Sequence, residues 1–293
     1  MKVAIVGVGA IGSLWATQLQ QHGHQVICFT RAPSQTQLTL QLDVQPAIKL
    51  SANQPEQLAS CDVVLITVKS TQVATAVEPL FSLLNPAVPV IFLHNGMGAV
   101  DILETKWQAL PLYLATTTQA AFKSSSTQVH HTGYGNTLIG PHHHHCKPLS
   151  ESILTQLNAA LPNVNWDDNI QAALWKKLAV NCVINPMTAL YQCKNGEIAQ
   201  AQYQDQLRAL IQECHQVMRA DGQTSDLDEL TAFIRQVITA TAQNYSSMYQ
   251  DVHHQRPTEI DFITGFLLKK AQQYGIEVPN HQRLYQQIKR LEV

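Results

Sequence analysis

The chain has 293 residues, of which 45% are hydrophobic, and a formal net charge of −2. That is enough apolar material for a real core and enough length for two domains of about 150 residues each. The near-neutral balance supplies no basic field for nucleic acid, and no apolar run approaches the roughly 20 residues that span a bilayer. The opening MKVAIVGVGAIG carries glycines where the apolar run of a signal peptide would continue. Six cysteines (28, 61, 146, 182, 193 and 214) include no C-x-x-C pair, which points to reduced thiols and away from disulfides or a zinc site. The expectation is a cytoplasmic protein that acts on a small molecule, without a metal and without nucleic-acid or membrane partners. The oligomeric state stays open between monomer and homodimer.

Residues 2–8 form a β-branched run that enters Gly7-Val8-Gly9-Ala10-Ile11-Gly12. An amphipathic helix over 13–22, closed by Gly23, and a second strand over 25–30 complete a dinucleotide-binding arrangement. Gly7 permits the tight turn, Gly9 lets a pyrophosphate approach the backbone, and Gly12 allows close helix packing. Unpaired N–H groups at the helix start then face the phosphate. An NAD site places a carboxylate at the end of the second strand to accept from the ribose 2′-OH. Here that strand ends Phe29-Thr30-Arg31, with no carboxylate before Asp43. Arg31 can pair with a 2′-phosphate, which favours NADP over NAD; the alternative is a solvated loop arginine.

Residues 61–68 read as a buried parallel strand with Lys69 at its carboxyl end, where ligands lie in open α/β sheets. A further such strand over 89–93 delivers His94-Asn95-Gly96-Met97-Gly98 to the same edge. Asn95 can bond a nicotinamide ribose or substrate, or simply support a turn; His94 reads as structural. Short strands over 112–119, 127–132 and 136–139 are expected to finish the sheet antiparallel. The run His142 to His145 falls between prolines in an expected solvated loop, since four adjacent histidines cannot all face one ion.

From Ser150 the pattern turns helical. A helix over 151–161 covers the sheet, and residues 162–168 cross into a second domain, so the expected domains are 1–167 and 168–293. The next helix, over 171–186, places Lys177, Asn181 and Asn185 at steps of four. Such a series drifts only about 40° per step, so the three share a face. Its other positions are mostly apolar (Leu174, Trp175, Leu178, Val180, Val183, Ile184), and a buried helix with a polar face should turn that face to a cleft. An ordinary solvated face is the alternative.

The chain then turns at Lys194-Asn195-Gly196. A helical stripe follows through Leu207, Leu210, Ile211, Cys214, Val217 and Met218. Ser225 is expected to cap the next helix, with Asp228 completing a near capping box. Ser246 and Ser247 lie at its far end. Glu259 falls in the first turn of a helix lined by Ile260, Ile263, Leu267 and Ala271 and ended by Gly275 and Pro279; Asn280 is expected to cap the last helix. Helix-dipole stabilisation accounts for Glu259, and capping for Ser247, without any function. The fold class is α/β plus all-α: an N-terminal Rossmann-type domain followed by a helical one.

Several of these stretches together resemble the ketopantoate reductase (2-dehydropantoate 2-reductase) family, most closely its enterobacterial type. They are GVGAIG, Val68-Lys69, HNGMG (94–98), WKKLAVNCVINPMTA (175–189), NG (195–196), SSMYQD (246–251) and TEID (258–261). They occur in order through almost the whole chain, and the Lys–Asn–Asn helix with Pro186 is the most specific. The resemblance implies an NADPH-dependent reduction of ketopantoate to (R)-pantoate, a step toward pantothenate and coenzyme A. It implies Lys177 as the catalytic lysine and Asn181, Asn185, Asn195 and Ser247 as substrate contacts. It places Lys69, Asn95 and Glu259 at the cofactor–substrate junction, and Ala121 at a cofactor-contacting backbone position. In that chemistry an ammonium beside the carbonyl oxygen stabilises developing negative charge and supplies the proton, while Glu259 accepts from the substrate hydroxyl and helps hold Lys177 protonated. The cofactor is expected on the first domain and most substrate contacts on the second, with the chemistry in the cleft. The competing readings are a reductase of another 2-oxo acid and a non-enzymatic NADPH sensor.

Overall fold

The computed structural model describes residues 1–143 and 146–292. The chain divides into two compact units, one of Met1–His94 with Ala99–Ile170, the other of Asn95–Gly98 with the chain from Gln171 onward. The short segment after His94 therefore belongs to the second unit although it is flanked in sequence by the first.

The first unit is built on an eleven-stranded sheet. Its strands are β1 (Lys2–Val6), β2 (Gln25–Phe29), β3 (Gln37–Leu42), β4 (Ile48–Ala52), β5 (Val63–Ile66), β6 (Val90–Leu93), β7 (Leu112–Thr117), β8 (Ala120–Lys123), β9 (Gln128–Gly133), β10 (Thr137–Pro141) and β11 (Val164–Trp166). Their order across the sheet is β11-β10-β7-β6-β5-β1-β2-β4-β3-β9-β8. The central run from β7 through β6, β5, β1 and β2 to β4 is parallel. All four residues of both β5 and β6 are buried, which is why their sequences are unbroken apolar runs. Helix α1 (Ala10–Gln21) places Leu14, Trp15 and Leu19 in the core of this unit, and α3 (Glu151–Ala160) adds Leu157 and Ala160; α2 (Val73–Val77) is a single short turn.

The periphery corrects the expected antiparallel finish. β7 continues the parallel run; among the described residues only β10 on β7, β3 on β4 and β8 on β9 are antiparallel, and β9 pairs β3 in parallel. The expected loop of solvated histidines is also only partly such a loop. His142 donates its backbone N–H to the Leu112 carbonyl at 3.0 Å, its side chain is 12% exposed, and burial pushes its imidazole pKa down. His144 and His145 lie outside the described residues.

The second unit is helical: α4 (Ile170–Tyr191), α5 (Gln204–Ala220), α6 (Leu227–Ala240), α7 (Ser247–His253), α8 (Thr264–Tyr274) and α9 (Pro279–Leu291). α4 is continuously buried from Cys182 to Ala189 and runs past Pro186, which has no N–H to give the Cys182 carbonyl. One turn on, the Thr188 hydroxyl donates to the Ile184 and Asn185 carbonyls at 2.9 and 3.1 Å. α5 packs against α6, α8 and α9. No helix among the described residues is long and apolar enough to cross a membrane. All six cysteines are free, and burial pushes the Cys28 and Cys214 thiols up to about 12.

Two expected caps are corrected. Asp226, not Ser225, caps α6, its carboxylate accepting from the Asp228 and Glu229 N–H groups. Asn280 lies inside the first turn of α9, and Glu213 of α5 satisfies that turn from outside. One Glu213 oxygen accepts from Asn280 N and Nδ2, the other from His281 N and Nδ1. A carboxylate answers both the orphan N–H groups and the helix dipole, which an amide does less well.

His281 is 0% exposed, and burial lowers its pKa despite the Glu213 carboxylate. Burial alone would raise the Glu213 carboxyl, but the bonds from His281 and Asn280 hold it below its ordinary range. Both groups thus bind protons more weakly folded than unfolded. Their contribution to stability is present above about pH 6.5 and is lost as the pH falls, first through His281 and then through Glu213. Glu213→Ala should cost about 3 kcal/mol and expose the first turn of α9 to fast amide exchange, measured by urea denaturation and hydrogen exchange. Unchanged protection there would show that Glu213 is not the cap.

Candidate active site

In the first unit, β1 leads into a loop held by its own backbone. Gly7 has φ +97°, where side chains are strained, and a Cβ there would lie 2.5 Å from Val68. At Gly12 a Cβ would lie 2.0 Å from the Gly7 carbonyl oxygen and 2.4 Å from Thr67 Oγ1, so α1 sits on the loop as only glycine allows. The Thr67 hydroxyl donates to the Gly7 carbonyl at 2.6 Å, tying the loop to the end of β5. Gly9 differs, because nothing lies within 4 Å of the Cβ position. It is also the N-cap of α1 with no side chain capping it, so the N–H groups around Ala10 and Ile11 open a concavity suited to an anion.

Arg31 lies exposed just beyond β2. Its loop is organised by Asn53, whose Oδ1 accepts from Thr30 N at 2.8 Å and whose Nδ2 donates to the Ala32 and Gln35 carbonyls. Asp43, the first carboxylate after β2, accepts from His131 N. Lys69 follows β5 at the start of a short 3₁₀ turn, Ser70–Gln72. Ala121 lies on β8 beside a residue that sequence reasoning passed over. Lys123, two positions on, reaches the glycine loop and donates to the Val8 carbonyl at 3.2 Å. Burial lowers its pKa. Strand alternation puts residues 121 and 123 on one face, and that was the available signal.

The second unit brings the central candidates together. α4 carries Lys177, Asn181 and Asn185, with Asn185 buried and the other two partly so. The start of the helix is fixed two residues earlier, where Trp175 Nε1 donates to Asp221 at 2.9 Å. The same carboxylate accepts from Lys270 Nζ at 2.8 Å and Tyr274 OH at 2.7 Å, locking α4 against α8. Burial pushes the Lys177 amine from its ordinary range to about 8, and the neighbouring Glu259 carboxylate opposes the fall.

Glu259 is 7% exposed and stands at the N-cap of a short 3₁₀ turn, Ile260–Phe262, ahead of α8 and not inside its first turn as expected. Its Oε2 accepts from Asn95 Nδ2 at 3.3 Å. The 95–98 segment is seated against the same region. Met97 N donates to the Phe262 carbonyl at 2.8 Å, and a Cβ on Gly96 (φ +79°) would lie 2.4 Å from that oxygen. Lys177, Glu259 and Asn95 therefore form one charged and polar cluster.

Asn195 and Ser247 are placed through the 241–247 segment. Asn195 is buried, its N–H donates to the Asn244 carbonyl and its Nδ2 to Thr241 Oγ1, both at 3.0 Å, and its Oδ1 has no partner among the described residues. Ser246 is the buried cap of α7, its Oγ accepting from Tyr249 N at 3.0 Å and sharing a hydrogen bond with the Thr188 hydroxyl of α4 at 2.7 Å. That leaves Ser247 exposed as the first residue of the helix, not itself the cap.

The family model for ketopantoate reductase PanE/ApbA matches residues 3–144, and the model for its C-terminal part matches residues 169–292. The chain is 44% identical over 292 residues to the 2-dehydropantoate 2-reductase of Vibrio cholerae serotype O1, covering 100% of this chain and 98% of that protein. It superposes with a TM-score of 0.87 and 28% identity on the crystal structure of a PanE/ApbA family ketopantoate reductase from Ralstonia eutropha JMP134, covering 100% and 98% of the two chains. A complex of D-mandelate dehydrogenase with NADH gives a TM-score of 0.88 at 24% identity, over 100% of this chain and 99% of that one, which establishes a shared fold. The chain belongs to the ketopantoate reductase family, a family of oxidoreductases with a Rossmann-type unit followed by a helical one.

Glu259→Gln removes the charge that raises the Lys177 pKa, so the amine should titrate below its present value of about 8. NMR titration of the labelled lysine side chain checks this. A midpoint that stays or rises would mean the two groups do not interact.

Proposed function

We propose that the protein reduces ketopantoate to (R)-pantoate with NADPH, with Lys177 as the proton donor. The observation that carries this reading is the partly buried Lys177 amine, held near pKa 8 beside Glu259, in a chain of this family. An amine with that pKa is about nine-tenths protonated at pH 7, yet gives up its proton far more readily than an ordinary lysine. When bound, the dihydronicotinamide supplies a hydride from C4 to the keto carbon. Lys177 meets the negative charge gathering on the carbonyl oxygen, transfers its proton to that oxygen, and regains one from solvent.

Asn181, Asn185, Asn195 and Ser247 are assigned to the substrate, where they bond its oxygens without adding charge. The Asn195 Oδ1, buried and otherwise unpartnered among the described residues, suits a hydroxyl donor. Glu259 is assigned to accept from the substrate hydroxyl and to hold Lys177 protonated. The loop from Gly7 to Gly12 (with Val8, Gly9, Ala10 and Ile11) is assigned to the pyrophosphate, supported by the open space at Gly9 and the uncapped start of α1. Arg31 is assigned to the 2′-phosphate, and Lys69, Asn95, Ala121 and Glu259 to the remainder of the cofactor. Cytoplasmic location and a role in coenzyme A biosynthesis follow from the same reading.

Lys177→Ala should lower kcat by at least about 10²-fold while leaving NADPH affinity nearly unchanged. A mild loss would remove Lys177 from the acid role. Arg31→Ala should raise the Kd for NADPH about tenfold or more and that for NADH little, by titration of protein fluorescence; equal shifts would show that the arginine does not read the 2′-phosphate. Ketopantoate should be used with a much higher kcat/KM than ketoisovalerate, which lacks the hydroxyl. Equal values would move the assignment to a general 2-oxo acid reductase, and NADPH binding without reduction of either acid would move it to a sensor.

A further inference from the structure

The segment that carries Glu259 is gripped on both sides by one face of α9. Before it, Thr258 is 2% exposed and gives both its donors to a single oxygen of Glu292, the N–H at 2.9 Å and the hydroxyl at 2.6 Å. The Thr258 hydroxyl oxygen in turn accepts from Ile260 N at 3.1 Å, bridging over Glu259. After it, Asp261 accepts from Tyr285 OH at 2.7 Å and from Lys289 Nζ at 3.2 Å. Lys289 closes the frame with a 2.7 Å ion pair to the other oxygen of Glu292. Tyr285, Lys289 and Glu292 follow a four-then-three spacing, so they line one edge of α9 and its C-cap.

Packing alone does not call for this frame. The adjoining stripe of α9 is already buried through His281, Leu284 and Ile288. The polar edge instead concentrates its bonds on one four-residue segment, and Glu292 is withdrawn from water to do so. Burial would raise the Glu292 carboxyl, but the bonds from Lys289 and Thr258 outweigh it and keep the group ionised. Charge-assisted bonds of this kind fix geometry more tightly than neutral ones. A catalytic carboxylate needs that, because a misplacement of about 1 Å costs about 10²-fold in rate.

We propose that Glu292, backed by Lys289 and Tyr285, is a positioning residue that holds the Glu259 carboxylate where it meets Asn95 and Lys177. The proposal rests on the reading of Glu259 given above. In it the end of α9 acts on catalysis without touching substrate or cofactor.

The test compares Glu292→Ala, Glu292→Gln and Glu259→Gln in the full-length enzyme, reading kcat, KM for NADPH, Tm and the pH profile of ketopantoate reduction. Glu292→Ala should lower kcat about tenfold with KM for NADPH unchanged. It should also move the alkaline limb of the profile to lower pH, because a displaced Glu259 no longer raises the Lys177 pKa. Glu292→Gln keeps an oxygen for Thr258 and should recover kcat to within about threefold. Glu259→Gln should move the same limb in the same direction.

If Glu259→Gln shifts the limb and Glu292→Ala does not, the positioning role is wrong and the catalytic reading stands. A loss of kcat and Tm in Glu292→Ala without a shift of the limb would reduce Glu292 to a stability role and overturn the proposal. If Glu259→Gln itself leaves kcat and the limb unchanged, the reading of Glu259 fails and this inference goes with it. Should Glu292→Ala not fold, Thr258→Val removes the hydroxyl's bonds to Glu292 and from Ile260 N while keeping the Thr258 N–H bond to Glu292. A limb moved to lower pH at the native Tm then supports the proposal, and an unmoved limb overturns it.

Discussion

A desolvated ammonium beside a buried carboxylate is the constraint on which the second unit turns. Burial favours the neutral Lys177 amine, and the neighbouring Glu259 carboxylate favours the ammonium. The balance leaves the amine near pKa 8. Such a balance depends on distance, so the backbone around both groups has to be rigid. The helical unit accordingly spends its polar side chains on backbone and inter-helix bonds. Asp221 joins Trp175 to Lys270 and Tyr274, Thr188 joins α4 to Ser246, and Asn95 reaches Glu259.

The first unit follows a different rule. Its glycine loop is shaped by what the glycines leave out. Thr67 and Lys123 bond to the Gly7 and Val8 carbonyls, while among the described residues no side chain caps the start of α1. Carbonyl oxygens would repel an anion, so engaging them leaves the helix N–H groups to set the sign of the local field. Asn53 does comparable work for the turn that carries Arg31, ordering the backbone and leaving the guanidinium exposed.

How much of this was legible in sequence depended on whether a signal was local. The glycine loop, the buried strands β5 and β6 and the polar face of α4 were readable because periodicity or a fixed motif encodes them. β3 and β4 were passed over. Gln37 to Leu42 does alternate, but in a glutamine-rich stretch its half-buried pattern is weak next to the unbroken runs of the central strands. The caps at Ser225 and Asn280 were misassigned for two reasons. Asp226 outcompetes its neighbour for the same N–H groups, and at α9 the acceptor comes from Glu213, 67 residues away. No local rule could find the Glu292–Thr258 contact, which spans 34 residues and depends on how α9 folds back.

The same distinction bears on substrate choice. The fold is shared at high TM-score with a D-mandelate dehydrogenase as well as with ketopantoate reductases, so the architecture does not select the substrate. Selection has to come from groups that would be left unsatisfied by the wrong acid. A buried polar group built to bond a hydroxyl discriminates strongly against an analogue lacking that hydroxyl, whereas an apolar pocket separates acids that differ by a methylene only weakly. The Asn195 Oδ1, buried and without a partner among the described residues, is a polar group of this kind. Its burial costs stability in the free protein, a cost that a bound hydrogen-bond donor would offset.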